Sequence, residues 1–122
     1  MSGTNYVVDS NILLYILEGN TSIDPYLDYA YFISVISEIE LLGWHKIQPD
    51  DIKRIKKILD NCTHVELLPV IKNIAIDIKQ HHKIKLPDAI IAATAIYLDM
   101  PLLTADRGFE KIKDMDVLIL PV

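Results

Sequence analysis

Tyr6-Val7-Val8-Asp9-Ser10-Asn11-Ile12-Leu13-Leu14-Tyr15 reads as a strand that turns into a helix across one acid. Tyr6-Val7-Val8 is a short apolar run of the kind buried on both faces of a sheet. Asn11 to Leu17 has helical apolar spacing, and Gly19-Asn20 stops it. The same alternation continues outward. A short helix is expected over Pro25 to Ala30, then a second strand, Tyr31 to Ser34, and a helix from Ser37 to Trp44. Pro49 opens a helix that runs to Asn61. His64 to Leu68 reads as a third strand, and Pro69 starts a helix that reaches His82. Pro87 opens the next helix, to Leu98. Leu102 to Thr104 is a fourth strand, Arg107 to Ile112 a short helix, and Val117 to Leu120 a fifth strand. Strands alternating with helices predict an α/β fold with a mainly parallel sheet.

The composition fits that reading. The chain has 122 residues, the size of one ordinary domain, 1–122, and 51% of them are hydrophobic. Only 7% are aromatic, so the core must be aliphatic. No uncharged apolar stretch reaches the roughly 18 residues of a membrane span. The N-terminus lacks a basic region before its apolar run, which argues against a signal peptide. A single cysteine, Cys62, excludes an internal disulfide framework and fits a reducing cytoplasm. The net charge of −5 counts against simple electrostatic binding of nucleic acid. It does not count against a nuclease whose acids are neutralised by cations.

Four acids stand out. Asp9 follows the first strand and Asp106 comes just after the fourth. Asp88 is in the first turn of the Pro87 helix, and Glu40 is in the helix after strand two. Ligands of open α/β sheets bind beyond the carboxyl ends of the strands, where Asp9 and Asp106 would sit. Hard divalent cations prefer carboxylate oxygens, and Mg²⁺ usually takes one or two of them with water and substrate phosphate. Each acid also has a plainer reading. Asp9 and Asp106 could cap the helices that follow them, and Asp88 could serve the helix dipole.

Four strings carry a family resemblance. Val8-Asp9-Ser10-Asn11-Ile12-Leu13-Leu14-Tyr15 resembles the opening of PIN-domain proteins, in particular the VapC-type toxins. Ile33-Ser34-Val35-Ile36-Ser37-Glu38-Ile39-Glu40-Leu41 resembles their second motif, and Leu86-Pro87-Asp88-Ala89-Ile90-Ile91-Ala92-Ala93-Thr94-Ala95 their third. Leu102-Leu103-Thr104-Ala105-Asp106-Arg107-Gly108-Phe109 resembles the fourth. The four occur in family order. The resemblance implies a three-layer fold with a parallel sheet of about five strands and strand one central. It implies an endoribonuclease dependent on Mg²⁺ or Mn²⁺, with Asp9, Glu40, Asp88 and Asp106 as catalytic and metal-holding acids. Thr104, Ser10 and Asn11 would orient carboxylates or water. It further implies an RNA substrate, a cognate antitoxin and, together with the high apolar fraction, a homodimer. A housekeeping PIN nuclease of RNA processing and a non-catalytic PIN-like module are the alternatives. A phosphoacceptor domain would need a paired acid after strand one and a lysine after the last strand, and both are missing.

Glu38 and Glu40 compete for the second position. Residues two apart on a helix point about 200° apart. Glu40 falls on the side of Ile36, Ile39 and Gly43, which is expected to face the sheet. Glu38 falls opposite and is expected to be solvated. Lys53, Arg54, Lys56 and Lys57 form a basic face opposite Ile52, Ile55, Ile58 and Leu59. With Arg107 they are candidates for RNA contact, although a solvated face is the better explanation of the helix. Ala89, Ala92, Ala93 and Ala95 suit close packing on the sheet. Adjacent His81 and His82 make a poor metal pair, and nothing marks Cys62 as a nucleophile.

Overall fold

The computed structural model describes residues 5–26 and 30–121. Among them, β1 (Asn5–Val8), β2 (Ala30–Ser34), β3 (Thr63–Val65), β4 (Leu102–Thr104) and β5 (Val117–Ile119) form one sheet. Its order is β3-β2-β1-β4-β5, and every pairing is parallel. β1 is therefore central, which explains why Tyr6, Val7 and Val8 are all buried. The helices are α1 (Ser10–Leu17), α2 (Val35–Leu42), α3 (Pro49–Leu59), α4 (Pro69–His81) and α5 (Leu86–Leu98). Short 3-10 helices cover Thr21–Tyr26 and Arg107–Lys111. Among the described residues no helix is long and apolar enough to cross a membrane.

Alternation along the strands builds the three layers. Tyr6 and Val8 join Ile12, Leu13, Ile55 and Leu59 on one face, against α1 and α3. Val7 and Leu102 point the other way, into Ile71, Ile78 and the alanines of α5. Ala89, Ala92, Ala93 and Ala95 are fully buried, so the small side chains let α5 lie close to both the sheet and α4. Proline stands in the first turn of α3, α4 and α5, where its missing N–H costs nothing.

Four expectations need correction. The helix expected over Pro25 to Ala30 is a 3-10 turn over Thr21–Tyr26, and Ala30 already pairs with Asn5 in the sheet. Residues 27–29 lie outside the described residues. The helix expected to start at Ser37 starts at Val35, because Ser34 Oγ accepts the Ile36 N–H at 3.2 Å and caps it. Strand three ends at Val65 rather than Leu68. Its partner β2 turns into α2 after Ser34, so nothing remains for Leu67 and Leu68 to pair with. Finally, α2 buries Ser37 and Leu41, whereas Ile39 is 59% exposed and Gly43 is at the surface. The helix lies between two apolar clusters, with Leu41 in one and Ile36 against the other, so its sequence has no single apolar stripe.

Candidate metal centre

β1 and β4 are parallel neighbours, so the residues that follow them emerge at one edge of the sheet. Asp9 is buried there, its N–H donating to Leu103 O at 3.0 Å. Thr104 Oγ1 donates to Asp9 Oδ2 at 2.8 Å, and the Ser10 N–H donates to Oδ1 at 2.8 Å. Thr104 Oγ1 in turn accepts the Asp106 N–H at 3.0 Å, so one hydroxyl ties the two acids of neighbouring strands together. The capping readings also hold: Asp9 caps α1, and Asp106 Oδ1 accepts the Gly108 N–H at 2.7 Å. Neither cap uses up the carboxylate, because an ionised carboxyl group has about four acceptor sites.

Asp88 enters from the first turn of α5 and is half-buried. Glu40, exposed at the end of α2, lies close enough for the charges of Asp9 and Asp88 to act on it. Burial raises the pKa of Asp9, and the charges of Asp88 and Asp106 raise it further against the Thr104 and Ser10 hydrogen bonds. Partial burial raises that of Glu40, with Asp9 and Asp88 adding to it. Burial and the Asp106 charge raise that of Asp88, while Lys85 and Lys111 oppose the rise. The four acids therefore act on one another, and none forms an ion pair among the described residues.

Glu38 goes elsewhere. It is over a third exposed, yet paired rather than free as its helical position suggested. Its Oε1 meets His64 Nδ1 at 3.0 Å, and both side chains are partly buried.

The donor set suits a hard divalent cation, being all carboxylate and lacking any counter-charge in contact. Among the described residues no three His, Cys, Asp or Glu side chains are arranged as a group that would by itself hold a metal ion. Mg²⁺ does not require one, since water and phosphate usually complete its shell. Asn11 Oδ1, two positions beyond Asp9, is buried without a hydrogen-bond partner, which leaves one more oxygen acceptor unspent.

The basic residues are distributed differently from expectation. Lys53, Lys56 and Lys57 are exposed on α3, and none is among the charges acting on Asp9, Glu40 or Asp88. Arg54 instead donates to Leu17 O at 2.7 Å, closing the end of α1. With Ser10, Glu40 and Trp44 it lines a groove of about 690 Å³ beside the acids. Arg107 is exposed and lies 3.4 Å from Glu110. Sequence reasoning missed Lys85 and Lys111 as the cations nearest the acids. The signal for Lys85 was there: it immediately precedes a helix, where cations are disfavoured. Cys62 is pushed up to about 11 by burial, as befits an inert thiol.

Several solved structures share the fold. A toxin-antitoxin complex from Klebsiella pneumoniae contains a chain 26% identical to this one, with a TM-score of 0.81 over 95% of this chain and 98% of that chain. VapBC2 from Rickettsia felis, bound to a promoter DNA fragment, matches at 20% identity and TM-score 0.81, covering 97% and 100%. VapBC-1 from nontypeable Haemophilus influenzae matches at 21% and 0.81, covering 96% and 98%. No curated protein matches the chain in sequence. Residues 6–115 match the PIN domain, a span that holds all four acids, and the chain belongs to that family.

Proposed function

We propose that this protein is a metal-dependent endoribonuclease that hydrolyses RNA phosphodiesters as the toxin of a type II toxin–antitoxin pair. The observation that carries the reading is that like-charge interactions link Asp9, Glu40, Asp88 and Asp106, none of which has an ion-pair partner among the described residues. Membership of the PIN family and the toxin–antitoxin complexes among the structural neighbours support the nuclease and toxin parts respectively.

In this reading Asp9, Glu40, Asp88 and Asp106 hold Mg²⁺ or Mn²⁺. The bound cation would supply Lewis acidity, activating water for attack and offsetting charge on the phosphate. The chain's own groups have separable tasks. The buried Thr104 hydroxyl fixes the Asp9 carboxylate and keeps Oδ2 from turning away. Ser10 fixes the other oxygen of Asp9 through its N–H.

The partner is a cognate antitoxin. An arginine or lysine that it placed among the acids would replace the cation's charge and silence the site. We further propose a homodimer, consistent with the exposed Leu67, Val70 and Ile76 around α4. The test of the function is cleavage of single-stranded RNA by purified toxin after chelation and after Mg²⁺ or Mn²⁺ is restored. Activity should vanish and return; full activity with metal removal verified would refute the reading.

A further inference from the structure

The acidic site has a positively charged side. A cavity of about 200 Å³ opens between the turn joining α4 to α5 and the 3-10 helix Arg107–Lys111. Asp88 and Asp106 form one wall, and Lys83, Lys85 and Lys111 stand around the rest. We propose that this cavity admits the RNA backbone to the acids, with Lys85 and Lys111 holding non-bridging oxygens of a phosphate. The proposal rests on the nuclease reading and names the part of that site which takes the substrate.

Three observations point to it. First, Lys85 occupies the N-cap of α5 and makes no capping bond. N-caps favour Ser, Thr, Asp or Asn, and a cation at the positive end of a helix is electrostatically unfavourable. A residue that breaks both local rules is better explained by a ligand than by the fold. Second, Lys111 is held in place: its Nζ donates to Lys83 O, tying the 3-10 helix to the turn across the cavity. Third, Lys85 and Lys111 both act on Asp88, yet neither makes an ion pair with Asp88 or Asp106 among the described residues. Their charge remains available to an external anion.

The chemistry also requires such a place. A chain of net charge −5 repels a polyanion on average, so RNA needs a local positive entrance next to the acids. The basic face of α3 is the obvious rival, but its lysines are not among the charges acting on the acids. A phosphate seated between the lysines and the acids would meet ammonium groups on one side and the cation site on the other.

The test compares Lys85→Ala/Lys111→Ala with Lys56→Ala/Lys57→Ala. All four lysines are exposed, so both double variants should fold. The readouts are cleavage kinetics with Mg²⁺ and binding of a labelled single-stranded RNA, measured by anisotropy in a Glu40→Gln background. The first pair should raise both Kd and KM about tenfold, two weak surface contacts being lost. It should also flatten the log–log salt dependence of binding by about 1.4, or about 0.7 per contact. The α3 pair should change neither, and Lys85→Arg/Lys111→Arg should retain binding. An unchanged Kd and salt slope in the first pair, or an equal loss in the α3 pair, would overturn the proposal while leaving the nuclease reading intact. A lysine pair that only tunes the acids would tighten Mn²⁺ binding on removal without altering the RNA salt slope, and that result would also overturn it. Wild-type protein that neither binds nor cuts RNA with Mg²⁺ present would refute the nuclease reading itself.

Discussion

Two carboxylates of α2 sit two residues apart and meet opposite conditions. Glu38 turns toward β3 and α3, where His64 Nδ1 lies 3.0 Å away and His64 Nε2 faces Leu59 O at 2.9 Å. Glu40 turns toward Asp9 and Asp88, which raise its pKa further. The first corner is electrically complete: both acceptors are met by one imidazolium, and the contact joins three elements. The second is left incomplete, with four acids in mutual repulsion and their nearest lysines out of contact. Stability alone does not favour the second arrangement, because clustered like charges cost free energy. The contrast with the completed ion pair is what the proposed cation site would account for.

The largest expected effect is at the acids. Asp9→Asn and Asp88→Asn should each lower RNA cleavage by on the order of 100-fold or more, the loss expected when a metal ligand is removed. Metal-free thermal melts should stay level or rise, because both changes relieve repulsion and asparagine at position 9 still caps α1. A large loss of stability in both variants would make the acids structural and erase the contrast between the two corners.

The two glutamates sharpen it further. Glu40→Gln should impair metal-dependent cleavage severely, while Glu38→Gln leaves turnover nearly normal. Glu38→Gln should cost about 0.5 kcal/mol of stability at most, since the ion pair is over a third exposed and screened. Impaired turnover in Glu38→Gln with normal turnover in Glu40→Gln would reverse the assignment of the two corners.

The smallest effect is a pH dependence. The hydrogen bond to Leu59 O raises the His64 pKa above its usual 6.5, and Glu38 and then Asp60 add to it. A group whose pKa is raised on folding stabilises the fold below its unfolded value and loses that stabilisation as pH rises through the folded value. The melting-temperature gap between wild type and His64→Gln should therefore be widest below pH 6.5 and close as pH rises beyond it. A gap that stays constant with pH would mean the ring contributes packing and no charge.

Much of the fold was legible in the residues. The apolar run Tyr6 to Val8, the proline-led helices and the alanine-rich stretch after Pro87 all reflect local rules, and the structure keeps them. What failed depended on partners that are distant in sequence. The end of strand three is set by where β2 bends into α2, which the residues Leu67 and Leu68 do not reveal. The buried face of α2 was misread because a helix wedged between two clusters buries Ser37 and leaves Ile39 exposed. Glu40 reaches the acids beside Ser10, at the surface, and not on the sheet-facing side assumed for it. Helix spacing and the family motif both pointed to Glu40, and only the face that spacing assigned to it differs in the structure. Lys85 stands alone in sequence, whereas the densest run of basic residues lies on α3, so charge density does not reveal it.

The central claim is that the four acids are kept unpaired to hold a divalent cation, and thermal melting with and without Mn²⁺ tests it most directly. A ligand that binds only the folded state adds about 2.7 kcal/mol at 100 times its Kd, enough to raise the melting temperature by several degrees. Wild type and Glu38→Gln should both show that rise, and Asp9→Asn should lose most of it. An unchanged wild-type melting temperature at millimolar Mn²⁺, or an equal rise in Asp9→Asn, would contradict the account.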